Sequence, residues 1–114
     1  MTDHRILDVN GAPIALDPEG YLEHFDAWTP DIARQLARLE GIELDAAHWE
    51  VLEALRDFYR QFAQSPAMRP LVKYIGQRLG PDKGNSIHLL RLFPGSPAKV
   101  AARIAGLPRP EHCL

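Results

Sequence analysis

The chain has one cysteine, Cys113, in the run Gly106-Leu107-Pro108-Arg109-Pro110-Glu111-His112-Cys113-Leu114. A cysteine acts as nucleophile or sulfur acceptor in its thiolate form. Pro108 and Pro110 exclude helix and favour a stiff, extended segment. From Gly106 to Cys113 such a segment spans at most about 23–25 Å. A thiol so placed suits reach and exchange rather than core packing. An exposed free thiol is a liability that calls for a reason. The competing reading is filler, since chain ends are often poorly ordered and free cysteines are often buried. The neighbours pull the thiol both ways. Arg109 and His112 favour the thiolate, whereas Glu111 and the Leu114 carboxylate oppose it. No Asp, Asn or His stands at a spacing that would build a hydrolase triad around Cys113. Chemistry that needs only reach and exchange is the better fit, as when a sulfur-carrying cysteine takes sulfane sulfur from one protein's persulfide and offers it to another.

Other candidate centres are weaker. His4, His24, His48, His88 and His112 share no ligand spacing, so no metal is expected. His48, beside Trp49, reads as a capping and packing residue. Lys83-Gly84-Asn85-Ser86 lacks the earlier glycine and the strand–helix setting of a phosphate loop. No cofactor is expected. Glu50 and Glu53 read as a solvated helix face.

The elements that must hold Cys113 follow from turns and periodicity. Asn10-Gly11 between two short apolar runs predicts a hairpin. Asp17-Pro18-Glu19-Gly20 predicts a second turn, with Tyr21-Leu22 opening a third short strand. Thr29-Pro30-Asp31 is an N-cap, a first-turn proline and an acid. Ile32, Leu36 and Leu39 carry that helix to Gly41. Asp45 caps a longer helix whose stripe is Trp49, Leu52, Leu55, Tyr59 and Phe62, widened by Val51 and Phe58. That width marks it as the central helix. After Ser65-Pro66, Leu71, Val72, Ile75 and Leu79 predict a third helix, stopped by Gly80-Pro81. A short helix through Ile87, Leu89, Leu90 and Phe93 follows, then a last one from Ser96-Pro97 to Gly106. The fold class is α+β and mostly helical. A small N-terminal antiparallel β-meander packs on about five helices, with an extended C-terminal arm. The division is a globular domain over 1–106 and a flexible arm over 107–114.

Length and composition fit one soluble domain. The chain has 114 residues, enough for a core without disulfides. Its 46% apolar and 25% charged content argues against disorder. One cysteine excludes an internal disulfide and fits a reducing compartment. No apolar run nears the roughly 18 residues that cross a bilayer, and no signal peptide opens the chain. A cytoplasmic protein with no membrane partner is expected. Net charge is −2, but the halves differ: residues 1–54 hold twelve acidic and three basic side chains, residues 55–114 three and ten. The basic half carries Cys113. Two such halves either orient a field or neutralise each other by packing. Direct nucleic-acid binding is a minor reading without an overall basic excess.

Several stretches, taken in order, resemble one family. They are Asp17–Leu22 (DPEGYL), Trp28, Gly41–Leu44, His48-Trp49-Glu50, Arg56–Tyr59 (RDFY), Pro66–Lys73 (PAMRPLVK), Leu92–Gly95 (LFPG) and Ile104–Leu114 (IAGLPRPEHCL). Together they are similar to the TusE/DsrC/DsvC sulfur-relay proteins over nearly the whole chain. The resemblance implies a helical array, a small β-meander, a swinging C-terminal arm and a persulfide on Cys113. DsrC-type members carry a second arm cysteine eleven residues earlier, where this chain has Ala102. That departure favours a TusE-like relay over a dissimilatory role. By similarity, sulfur would come from a TusBCD-type complex and pass to an MnmA-type tRNA 2-thiouridylase, with tRNA met only through that partner. A monomer is expected. Arg69 and Lys73 form a candidate partner surface, joined by the arm residues Arg109, His112, Pro108 and Pro110. Arg69, Tyr74 and Trp49 could also dock the arm, although packing suits Trp49 better. Two other readings stay open: a DsrC-like subunit or non-catalytic interaction module, in which the arm is a docking peptide, and a DNA-binding regulator.

Overall fold

The computed structural model describes residues 5–111. Strand β1 (Arg5–Val9) pairs antiparallel with β2 (Ala12–Leu16), Leu7 opposite Ile14 and Val9 opposite Ala12. Asn10 and Gly11 make the turn at φ 54° and 84°. Positive φ at both positions is what a two-residue hairpin asks for, and Asn and Gly adopt it at least cost. The expected third strand at Tyr21-Leu22 is reduced to a single bridge between Leu16 and Leu22. Asp17 supplies the reason. Its side chain accepts the N–H groups of Glu19 and Tyr21, closing a turn that swings the chain away.

Five helices follow among the described residues: α1 (Pro30–Leu39), α2 (Ala46–Phe62), α3 (Met68–Leu79), α4 (Ser86–Leu92) and α5 (Pro97–Ile104). Thr29 caps α1 by accepting from the Ile32 N–H. Asp45 caps α2 by accepting from Ala47 and His48, while His48 Nδ1 accepts from the Asp45 N–H. That leaves His48 Nε2 to donate to the Leu92 carbonyl at 3.0 Å, fastening α2 to α4. His48 is thus the capping and packing residue that its position suggests. Gly84 has a conformational rather than a phosphate-binding task. A Cβ there would overlap Gly76, so two glycines let the 80–85 loop lie on α3.

The centre of the array is α5, not α2. Helix α2 packs on α3 and α5, whereas α5 meets α1, α2, α3 and α4. Its small residues explain this. Ala98, Ala101 and Ala102 are buried and let four helices approach one axis. Tyr21, Leu36, Leu52, Leu55, Leu71, Ile75, Leu89 and Phe93 close around it. Phe62, assigned by its spacing to the buried stripe of α2, is 51% exposed, because it ends the helix beyond its packing. Ile87 and Leu90 also face outward; α4 packs through Leu89, with Phe93 behind it. No described helix is long and apolar enough to cross a membrane.

Candidate functional site

The last turn of α5 decides where the C-terminal stretch leaves the body. A helix end leaves four backbone carbonyls without partners. Here these belong to Ala102, Arg103, Ile104 and Ala105, and each has a donor. The Leu107 N–H reaches Ala102 at 2.9 Å and the Gly106 N–H reaches Arg103 at 3.1 Å. With Gly106 at φ 74°, this is a Schellman ending. The other two carbonyls are met by distant side chains. Trp28 Nε1 donates to Ile104 at 2.9 Å, and an Arg56 Nη donates to Ala105 at 2.8 Å.

Gly106 is required twice. Its φ suits glycine, and an added Cβ would overlap the Trp28 ring. Arg56 is buried, its guanidinium 4.1 Å from the ring centres of both Phe25 and Trp28. Burial draws its pKa down to about 10; Arg60 lowers it further and Asp26 opposes the shift. At neutral pH it stays charged, satisfied by a carbonyl and two aromatic faces.

Beyond Gly106 the chain stays on the body. Leu107 and Pro110 are buried, and Ser65 Oγ donates to the Pro108 carbonyl at 2.5 Å. Arg109 pairs with Glu19 at 2.9 Å. The packed residues take up the first part of the expected reach. With Pro110 seated, the three steps to Cys113 span at most about 11 Å. His112 and Cys113 lie outside the described residues.

Glu111 borders a shallow cavity of about 150 Å³, walled by Phe58, Ser65, Pro66 and Pro70. Arg69 and Lys73 are exposed on α3 beside it, i and i+4. Tyr74 stands edge-on to Phe58 and accepts a hydrogen bond from Arg78. Trp49 is partly buried, with Arg34 over its ring. Ser65 holds Pro108, and Glu111 shares a cavity wall with Pro66 and Pro70, so this stretch runs past the N-terminal end of α3, the helix that carries Arg69 and Lys73. Arg109 is turned towards Glu19 instead. Trp49 is not grouped with Arg69 or Tyr74; its ring contact is with α1. The spacing did not single out Trp28, Arg56 or Ser65 as holders of this stretch. Arg56 had a local signal, a cation set into an apolar helical stripe, and both it and Trp28 stood among the family-like residues without a role attached.

A family profile described as DsrC like protein matches residues 8–114. This chain belongs to the DsrC-like family. It is 51% identical to the sulfurtransferase TusE homolog of Haemophilus influenzae over 109 residues, covering 96% of this chain and all of that protein. It is 50% identical to the sulfurtransferase TusE of Sodalis glossinidius over 108 residues, 95% of this chain and all of that one. The Allochromatium vinosum DsrC structure superposes with a TM-score of 0.89 at 41% identity, covering 97% of this chain and 99% of that one. The oxidised γ-subunit of dissimilatory sulfite reductase from Archaeoglobus fulgidus gives 0.83 at 36%, covering 96% and 100%. As in the expectation drawn from its motifs, this DsrC-like chain is a helical array with a small antiparallel hairpin.

Proposed function

We propose that this protein is a TusE-like sulfur carrier that accepts a persulfide sulfur on Cys113 and hands it to another protein. The observation that carries this reading is full-length identity of about half with proteins named sulfurtransferase TusE, in a chain with one cysteine. In the loading step the Cys113 thiolate attacks the terminal sulfur of a donor persulfide. The donor's S–S bond breaks as the new one forms, and the donor leaves as a thiolate. No outside oxidant or reductant is consumed. Unloading is the same exchange with an acceptor cysteine. A TusBCD-type complex is the donor and an MnmA-type tRNA 2-thiouridylase the acceptor, which holds the tRNA itself. The setting is cytoplasmic.

The held residues 104–110 fix the point from which Cys113 departs. Pro108 and Pro110 stiffen that departure. His112 is the chain neighbour of Cys113, and Arg109 is paired with Glu19. Arg69 and Lys73 contribute to partner docking. A DsrC-like role that depends on a second arm thiol is disfavoured, because the corresponding position is Ala102, buried in α5. Mass spectrometry after incubation with a persulfide-generating cysteine desulfurase and the donor complex tests the reading. The expected gain is about 32 Da per sulfur atom on Cys113, the thiolate being the acceptor. Cys113→Ser should abolish it; sulfur relay persisting in that variant would refute the carrier role.

A further inference from the structure

The C-terminal end of α2 and the N-terminal half of α3 carry a surface whose parts are not consumed by the fold. Phe62 is 51% exposed, its ring centre 4.6 Å from that of Phe58. Phe58 continues inward as a wall of the 150 Å³ cavity, with Pro66 and Pro70. That volume admits one benzene-sized group. Arg69 and Lys73 stand beside it, and among the described residues neither has a carboxylate within ion-pair distance. Arg38, Arg91 and Lys99 are likewise without one, each on a different helix, whereas Arg34, Arg60, Arg78, Lys83, Arg103 and Arg109 each have one; Arg69 and Lys73 differ in lying one turn apart on the helix that supplies Pro70 to the cavity. Two like charges four residues apart repel on a helix, and among the described residues no carboxylate offsets that repulsion.

Resting on the carrier reading, we infer that this face docks the persulfide-donating protein, through an apolar side chain of that partner ringed by Asp or Glu. The apolar side chain enters between Phe58, Pro66 and Pro70, against Phe62. The carboxylates meet Arg69 and Lys73. Charge complementarity selects an acidic protein surface. Nucleic acid fits poorly, since Glu111 borders the cavity and two free cations are few for a phosphate backbone. The position serves the chemistry. Glu111 borders the cavity and precedes Cys113 by two residues in the chain, so a partner seated there meets the chain two residues from the thiol-bearing position.

The test separates this face from the carrier role. Cys113→Ser protein cannot exchange sulfur, so its affinity for the purified donor complex reads docking alone. In that background, Arg69→Glu with Lys73→Glu should weaken binding at least tenfold and flatten its salt dependence. Phe62→Ser should weaken it severalfold with the salt dependence kept. Both variants replace exposed residues and should melt with the parent, checked by circular dichroism. Parental affinity in both variants, or no binding by the parent itself, would overturn the docking assignment. So would tRNA retardation that is lost on the charge reversal while donor binding is kept. Sulfur arrival on the Cys113 of unaltered protein is measured separately, and its failure would refute the carrier reading, not the docking face.

Discussion

The stretch 104–110 and the Phe62–Lys73 face meet at Ser65, yet they are built by opposite rules. In the first, every carbonyl at the helix end has a donor and the large apolar side chains are covered. In the second, an aromatic ring is half exposed, and among the described residues Arg69 and Lys73 have no carboxylate within ion-pair distance. The contrast separates what holds the chain in place from what is left for another molecule. Substitutions in the held stretch should cost stability, and substitutions on the face should not.

The largest effect is expected at Gly106. Gly106→Ala must take φ 74° with a side chain and push its Cβ into Trp28. Left-handed strain of about 1 kcal/mol and overpacking of about 1–3 kcal/mol add to a loss of about 2–4 kcal/mol. The urea midpoint reads it. A midpoint unchanged from the parent would mean that the helix end is not fixed as the Schellman geometry requires.

Arg56→Met comes next. It keeps much of the volume but leaves the Ala105 carbonyl without its donor and removes the cation between Phe25 and Trp28. An unsatisfied buried acceptor costs about 1–3 kcal/mol. Lysine should not rescue, because it lacks a planar group to fill the slot between the rings. Full rescue by Arg56→Lys would show that charge alone matters there.

This pairing also shows what the sequence carried. Asn10-Gly11, the caps Thr29 and Asp45, and Gly41 and Gly106 were legible because each signal and its effect lie within a few residues. Ser65 read only as a chain restart, since its partner Pro108 is 43 residues away and no local pattern encodes that bond. The central place of α5 was hidden because alanines weigh little in an apolar stripe, although their smallness is what draws four helices together. Phe62 fitted the period of α2 but outlasts the packing that would have covered it. Arg56 was visible as part of a family motif, while its task became clear only when Trp28 and Ala105 were beside it.

A smaller effect is expected at the junction of the two regions. Ser65→Ala removes one hydrogen bond to Pro108, worth about 0.5–1.5 kcal/mol. Because Ser65 also lines the cavity, it sharpens the contrast. The melting temperature should fall by a few degrees, while binding of the donor complex to the Cys113→Ser background changes less than with Phe62→Ser. A larger binding loss than Phe62→Ser would merge the two regions into one.

The smallest stability effect belongs to Asp57, which holds Arg60 at 2.8 Å and Arg78 at 2.9 Å. The Arg78 hydrogen bond is the main reason its carboxyl sits below the ordinary range; slight burial opposes this, and the charges of Arg78 and Arg60 add to it. A carboxyl whose folded pKa is depressed contributes stability above its unfolded pKa, about 4, and loses it as pH falls through the lower folded value. Asp57→Asn should therefore cost about 0.2–1 kcal/mol near pH 7, less in high salt, and nothing once the acid limit is passed. Equilibrium unfolding at pH 7 and pH 2.5 checks the sign. The same substitution frees Arg78, whose other partner Tyr74 stands edge-on to Phe58, so an acidic partner should bind the variant more tightly. Stability and affinity then move in opposite directions, which a residue serving only the fold would not produce.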